Sequence, residues 1–143
     1  MGTRSTIAIE YENGFVAQIY CHWDGYLSHN GKILLEHYTE VPKIAELINL
    51  GDLSVLDKEI GVKVDFHDPS SIPNGQCISY KRDRGESDTG ARFFNSFEEY
   101  EKDHDYQEYE YIFRQSTNTW NVYFNGEWYD LKDAIKKDAE WII

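Results

Sequence analysis

The sequence predicts an α+β domain spanning residues 1–143, a mostly antiparallel sheet built from hairpins with two to four short helices packed on one face. Three observations predict it. Asn13-Gly14 and Asn125-Gly126 each sit between runs of alternating or aromatic residues, a pattern typical of tight β-hairpins. Helical periodicity is confined to short segments between strand groups, which argues against one-for-one βαβ alternation and a parallel sheet. Of the 143 residues, 41% are hydrophobic, enough for a core and too many for a disordered chain.

The elements follow in order. Thr6–Tyr11 and Phe15–Tyr20 alternate as strands around the first turn, for which Asn13 and Gly14 are both expected at positive φ. Asp24-Gly25 predicts a turn leaving the second strand, and Ile33, Leu34, Leu35, His37 and Tyr38 read as a short helix. Thr39 is the expected N-cap of a second helix, with Pro42 tolerated in its first turn. Its apolar face is Val41, Ile44, Ala45, Leu47 and Ile48, and Gly51 closes it. A helical turn is expected at Leu53–Leu56, a loop at Asp68–Gly75, a strand at Cys77–Lys81 and a polar loop at Arg82–Gly90. Arg92-Phe93-Phe94 resumes pairing, and Ser96 caps an acidic helix reaching about His104. Tyr109–Arg114 and Trp120–Phe124 are strands, Asn125-Gly126 turns into Glu127–Tyr129, and Asp130 opens a last helix facing inward through Leu131, Ala134, Ile135 and Ala139.

Charge excludes some partners. Lys and Arg total 14 against 26 Asp and Glu, a formal charge of −12. Direct binding to nucleic acid or an anionic membrane through bulk electrostatics is therefore not expected, since phosphate neutralisation needs clustered cations. No run of 18 apolar residues predicts a bilayer span. Without a basic-then-apolar leader, the expected location is cytoplasmic, with Cys21 and Cys77 reduced.

The densest group of reactive side chains is Cys21, His22, Asp24, His29, Glu36 and His37. Their spacing matches no zinc pattern, and neighbours on a strand point to opposite faces, so no metal and no cofactor is expected. Two readings remain. Cys21 is a core thiol while His22 and His37 satisfy loop backbone. Alternatively, His22, Asp24 and His37 are the acid–base groups of a small hydrolase or nucleotide-processing enzyme, arranged around Arg82 and Arg84.

Arg82-Asp83-Arg84-Gly85-Glu86 offers two guanidinium groups at the mouth of a strand, suited to clamping a phosphate or carboxylate. With His22, Trp23 and Tyr26 these arginines form the candidate ligand-binding set. The alternative is a turn neutralised internally by Asp83 and Glu86. Glu98, Glu99, Glu101, Asp103 and Asp105 form an acidic run that either imitates nucleic-acid phosphates toward a protein partner or is a solvated helix face. The 11 Tyr, 4 Trp and 7 Phe mostly alternate as core residues do, and an exposed remainder of two or three would serve as interface anchors. Gly-rich phosphate loops, nucleophile elbows, HExxH and EF-hand spacings are absent from the sequence.

Five segments carry a resemblance: Met1–Ser5 (MGTRS), Tyr20–Tyr26 (YCHWDGY), Leu34–Tyr38 (LLEHY), Gly51–Ser54 (GDLS) and Arg82–Glu86 (RDRGE). Over residues 1–95 the chain resembles a family of small phage and prophage proteins. The resemblance implies an accessory product made in the bacterial cytoplasm that acts by binding. It would inhibit or sequester a host defence component, either a protein or a nucleotide-derived signal. It carries over no catalytic residue, and it leaves a homo-oligomer with ligand between protomers open.

Overall fold

The first hairpin sets the centre of the sheet. β1 (Ser5–Glu10) pairs antiparallel with β2 (Val16–Cys21), with Ser5 opposite Cys21 and Glu10 opposite Val16. A computed structural model describes residues 3–103 and 107–142. Gly14 has φ +91° and Asn13 is not at positive φ, so the turn is not the mirror-image type expected from Asn-Gly. Gly14 N–H donates to the Tyr11 carbonyl (2.9 Å) and Tyr11 N–H to that of Phe15 (2.8 Å). This is a three-residue loop ending in a glycine bulge. The second Asn-Gly behaves as its sequence predicts. Asn125 and Gly126 have φ +52° and +84°, joining β7 (Thr119–Phe124) to β8 (Glu127–Asp130) with Phe124 opposite Glu127.

Three further strands, β3 (Leu53–Val55), β4 (Ile78–Ser79) and β6 (Tyr109–Arg114), complete the order β4-β3-β2-β1-β6-β7-β8. β5 (Arg92–Phe94) pairs with β2 on the edge it shares with β3. β1 and β6 lie parallel along their full lengths, as do β2 and β3 at Cys21 and Leu53, so the fold is α+β with a mixed sheet. Leu53–Val55 is therefore strand where a helical turn was expected. The C-terminal end of β2 offers an unpaired edge, and His22 and Trp23 N–H groups donate to the Leu53 and Ser54 carbonyls (3.0 and 3.2 Å).

Five α-helices are described, more than the two to four expected: α1 (Lys32–His37), α2 (Val41–Asn49), α3 (Tyr80–Arg84), α4 (Phe97–Asp103) and α5 (Leu131–Ile142). A turn of π-helix, Leu27–Gly31, leads into α1. The N-cap of α2 is Glu40 rather than Thr39. α3 replaces the C-terminal half of the expected 77–81 strand. The Ser79 hydroxyl accepts from Arg82 N–H (3.2 Å), and Gly85 ends the helix at φ +72°.

Strand alternation divides the core. Ile7, Ile9, Ile19, Cys21, Tyr111, Phe113 and Val122 face Leu34, Ile44, Leu47 and Leu131 from the helices. Polar anchors fix that layer: Trp120 Nε1–H donates to the Tyr38 carbonyl (2.8 Å), and Tyr38 O–H to that of Asp57 (2.7 Å). The opposite face carries Ala8, Val16 and Ile112 beneath Phe94 and Tyr100, with Phe97 and Trp128 packed alongside. α4 therefore covers the second face, correcting the expectation that every helix packs on one. Phe97 and Tyr100, three apart, present one apolar stripe to this smaller cluster.

Candidate functional site

Even-numbered residues of β1 and β2 point to the second face, and beside α4 that face is polar. Register places Arg92, Gln18, Ala8 and Ile112 in one row across β5, β2, β1 and β6. Tyr20, Thr6, Glu110 and Tyr123 form the adjacent row. A cavity of about 180 Å³ opens between these rows, lined by Thr6, Gln18, Tyr20, Asp52, Arg92 and Gln107.

Gln18 is 3% exposed, and its Nε2 has no hydrogen-bond partner among the described residues. Thr6 O–H donates to Glu110 Oε1 at the long distance of 3.5 Å. Asp52 Oδ1 accepts from Tyr20 N–H (2.9 Å), tying the loop after α2 to β2. Burial pushes the Asp52 carboxyl above its usual range, a shift that this hydrogen bond and the Arg92 charge oppose. Burial also pushes up the Tyr20 phenol, which stays protonated near neutrality. Its oxygen lies 2.8 Å from His22 Nδ1, so the phenol donates when the ring proton sits on Nε2. The cavity thus joins the Tyr20–Tyr26 segment through one hydrogen bond.

The remainder of that segment builds a corner. Asp24 adopts φ +58°, and its carbonyl accepts from Asn30 N–H (3.2 Å). A Cβ on Gly25 would lie 2.7 Å from Ser5 Cβ, and the Gly25 carbonyl accepts from Tyr111 O–H (2.6 Å). The Asn30 carboxamide donates to Ser5 Oγ (3.2 Å), Cys21 Sγ (3.4 Å) and the Trp23 carbonyl (3.3 Å). Burial pushes the Cys21 thiol up to about 12, which keeps it protonated and unreactive. Trp23 and Tyr26 stay exposed, with Trp23 edge-on to His22 at 4.7 Å.

The hydrolase constellation is not assembled by contacts among the described residues. His22 bonds Tyr20, Asp24 holds the corner through its backbone, and His37 lies exposed in the last turn of α1. Glu36 is exposed beside His37, and His29 Nδ1 lies 2.9 Å from Asn30 Oδ1. No group of three or more His, Cys, Asp or Glu among the described residues could hold a metal ion.

Arg82 is directed inward. Its Nε and Nη2 bond the two Asp83 oxygens (2.9 and 3.1 Å), and Nη1 and Nη2 reach the Ile60 and Cys77 carbonyls (2.9 Å each). Asp83 also accepts from the backbone N–H groups of Val64 (3.0 Å) and Ser79 (2.8 Å). Burial opposes its ionisation, yet the Arg82 and backbone hydrogen bonds outweigh it and hold the carboxyl below its usual range. The Arg82 guanidinium is thus engaged within the protein, tying Ile60 and Cys77 to α3. Arg84 is half-exposed, 3.6 Å from Glu86 and over the Phe66 ring at 5.2 Å.

On α4, Glu98 is exposed, Glu99 N–H donates to the capping Ser96 hydroxyl (3.1 Å), and Glu101 accepts from Trp128 Nε1–H (3.2 Å). Asp103 ends the helix, and Asp105 lies outside the described residues. Sequence reasoning missed Gln18, Asp52 and Arg92. In β2, Gln18 reads as the solvent side of an amphipathic strand, and only distant segments, β5 with Arg92, the loop at Asp52 and Gln107, wall it in.

No helix among the described residues is long and apolar enough to cross a membrane. No family model, no curated protein and no solved structure matches the chain.

Proposed function

We propose that this chain is a binding protein of the phage accessory type, which sequesters a small nucleotide-derived ligand of its bacterial host. The observation that carries the reading is the cavity on the second face of the sheet, lined mostly by polar side chains. A sheet interior normally selects apolar side chains, because a buried amide without a partner costs about 1–3 kcal/mol. Here the even positions of β1, β2 and β6 hold Thr6, Gln18 and Glu110, all buried. Arg92 takes the place given to Arg82 as the cation beside the ligand, and Tyr20 links the cavity to His22.

Native mass spectrometry of protein purified without chelator tests the reading against the denatured mass. The expected result is a retained or readily added mass of nucleotide size, lost on denaturation. Protein that stays at its bare mass after exposure to a host small-molecule extract would refute sequestration. Turnover of the added nucleotide, abolished in a folded His22→Ala, His37→Ala double variant, would favour the hydrolase alternative.

A second reading is supported by two aromatics. Phe93 is 76% exposed and Phe15 51% exposed, and register places them diagonally across β5 and the start of β2. Exposed aromatics of this kind suit capture of a host protein. Pull-down with Phe93→Ser and charge-reversed Glu98 and Glu99 tests it. A host protein lost in those variants supports this reading, and one retained equally by all of them refutes it.

A further inference from the structure

Resting on the sequestration reading, we infer that the cavity over β1, β2 and β5 is a nucleobase site in which the Gln18 carboxamide reads the edge of the base. Gln18 is fixed by strand pairing on both sides, opposite Ala8 and opposite Arg92, and is 3% exposed. The residue lines a cavity, and its nitrogen, buried behind that wall, bonds nothing among the described residues. A carboxamide sets a donor beside an acceptor, and turning it over only exchanges them. The complementary surface has an acceptor next to a donor in one plane, as nucleobase edges do. Glutamine pairs with adenine in this bidentate way.

Charge narrows the ligand further. Asp52 and Arg92 line the same cavity and influence each other electrostatically. A bare anion placed there meets the Asp52 carboxylate, and a bare cation meets Arg92. A neutral ring bearing donors and acceptors conflicts with neither. Asp52 Oδ1 is occupied by Tyr20 N–H, which leaves its second oxygen as the acceptor for a ring N–H or an exocyclic amine. Tyr20 supplies an aromatic wall, its position held by the bond to His22.

Size agrees. The cavity, about 180 Å³, falls below the roughly 300–1,000 Å³ of sites that enclose drug-sized ligands. It has room for one heteroaromatic ring system, leaving ribose and phosphate outside. Arg92 is exposed at the wall of the cavity, beside Gln18.

The test uses the full chain labelled with ¹⁵N-glutamine and titrated separately with adenosine, guanosine, cytidine, uridine and inorganic phosphate. One nucleoside is expected to move the Gln18 side-chain NH₂ resonances and to saturate below about 1 mM. Gln18→Met, which keeps length and removes both hydrogen-bonding atoms, should weaken that nucleoside at least about tenfold. If Gln18→Met does not fold, the wild-type Gln18 resonances decide alone. A nucleoside or nucleotide that binds without moving them overturns the base-reading role while leaving sequestration standing. Response to phosphate alone also overturns it. If no nucleoside binds at about 10 mM, the inference fails, and native mass spectrometry then shows whether sequestration of another ligand survives.

Discussion

Two buried polar regions of this protein solve the same problem in opposite ways. Around α3, the Asp83 carboxylate accepts from Arg82, Val64 and Ser79, and Arg82 turns its remaining donors to the Ile60 and Cys77 carbonyls. On the second face of the sheet, Gln18 is as deeply buried, yet its nitrogen has no partner among the described residues. The difference teaches how the two regions are balanced. A buried polar group whose valences are filled holds chain segments together, and one left without a partner beside a cavity is the feature on which the proposed ligand site rests.

The largest expected effect breaks the satisfied region. Asp83→Ala leaves a partly buried guanidinium without its counter-ion and two backbone N–H groups without an acceptor, so stability should fall by about 3 kcal/mol. Urea titration measures it, and a loss below about 1 kcal/mol would show that the network is dispensable.

pH sharpens the comparison. The Asp83 carboxyl titrates below its unfolded value, so its contribution is complete above about pH 4 and disappears as pH falls through its lowered folded value. The Asp52 carboxyl titrates above its unfolded value, so its ionisation destabilises the fold as pH rises through the raised one. Asp83→Asn should therefore flatten the acid limb of the stability profile, whereas Asp52→Asn should steepen the net rise of stability with pH. Identical profiles for the two variants would contradict the opposite shifts.

A smaller effect, of opposite sign, is expected at Gln18. Gln18→Met removes a buried amide without a partner and keeps side-chain length, so the unliganded protein should gain about 1–2 kcal/mol. A gain in thermal midpoint with loss of ligand binding is the outcome expected of a residue kept for recognition. Destabilisation by Gln18→Met would mean that the amide is satisfied in solution, and the contrast with Asp83 would disappear.

The smallest effect is at Arg84. Its pair with Glu86 is half-exposed and 3.6 Å long, so Arg84→Ala should change stability by less than about 1 kcal/mol. A larger loss would place Arg84, with its neighbours Phe66 and Tyr80, inside the structural network built by Arg82.

Much of the local framework was legible in the chain. Two of the hairpins, β1–β2 and β7–β8, lie where Asn-Gly pairs punctuate alternating residues, and the acidic helix begins after Ser96 as its capping pattern predicts. These signals are local: a turn needs particular φ values and a cap needs one side-chain oxygen. The misread segments answered to distant partners. Leu53–Val55 became strand because the end of β2 was unpaired, and Tyr80–Arg84 became helix where Ser79 caps it and Gly85 stops it. The site shares this character, since Gln18 and Arg92 lie 74 positions apart and Asp52 approaches β2 from the loop after α2.

By itself, then, the sequence determined the α+β class, the hairpins and the acidic surface, because turn chemistry, alternation and charge act over a few residues. Tertiary structure alone decided that β1 and β6 pair in parallel, that α4 takes the second face, that Arg82 turns inward and that Gln18 is enclosed. Those outcomes depend on which edge or buried acceptor each group meets after the chain has closed. Strand alternation says only that Gln18 points away from Ile19; β5, the loop at Asp52 and Gln107 together turned that side from solvent into a cavity wall.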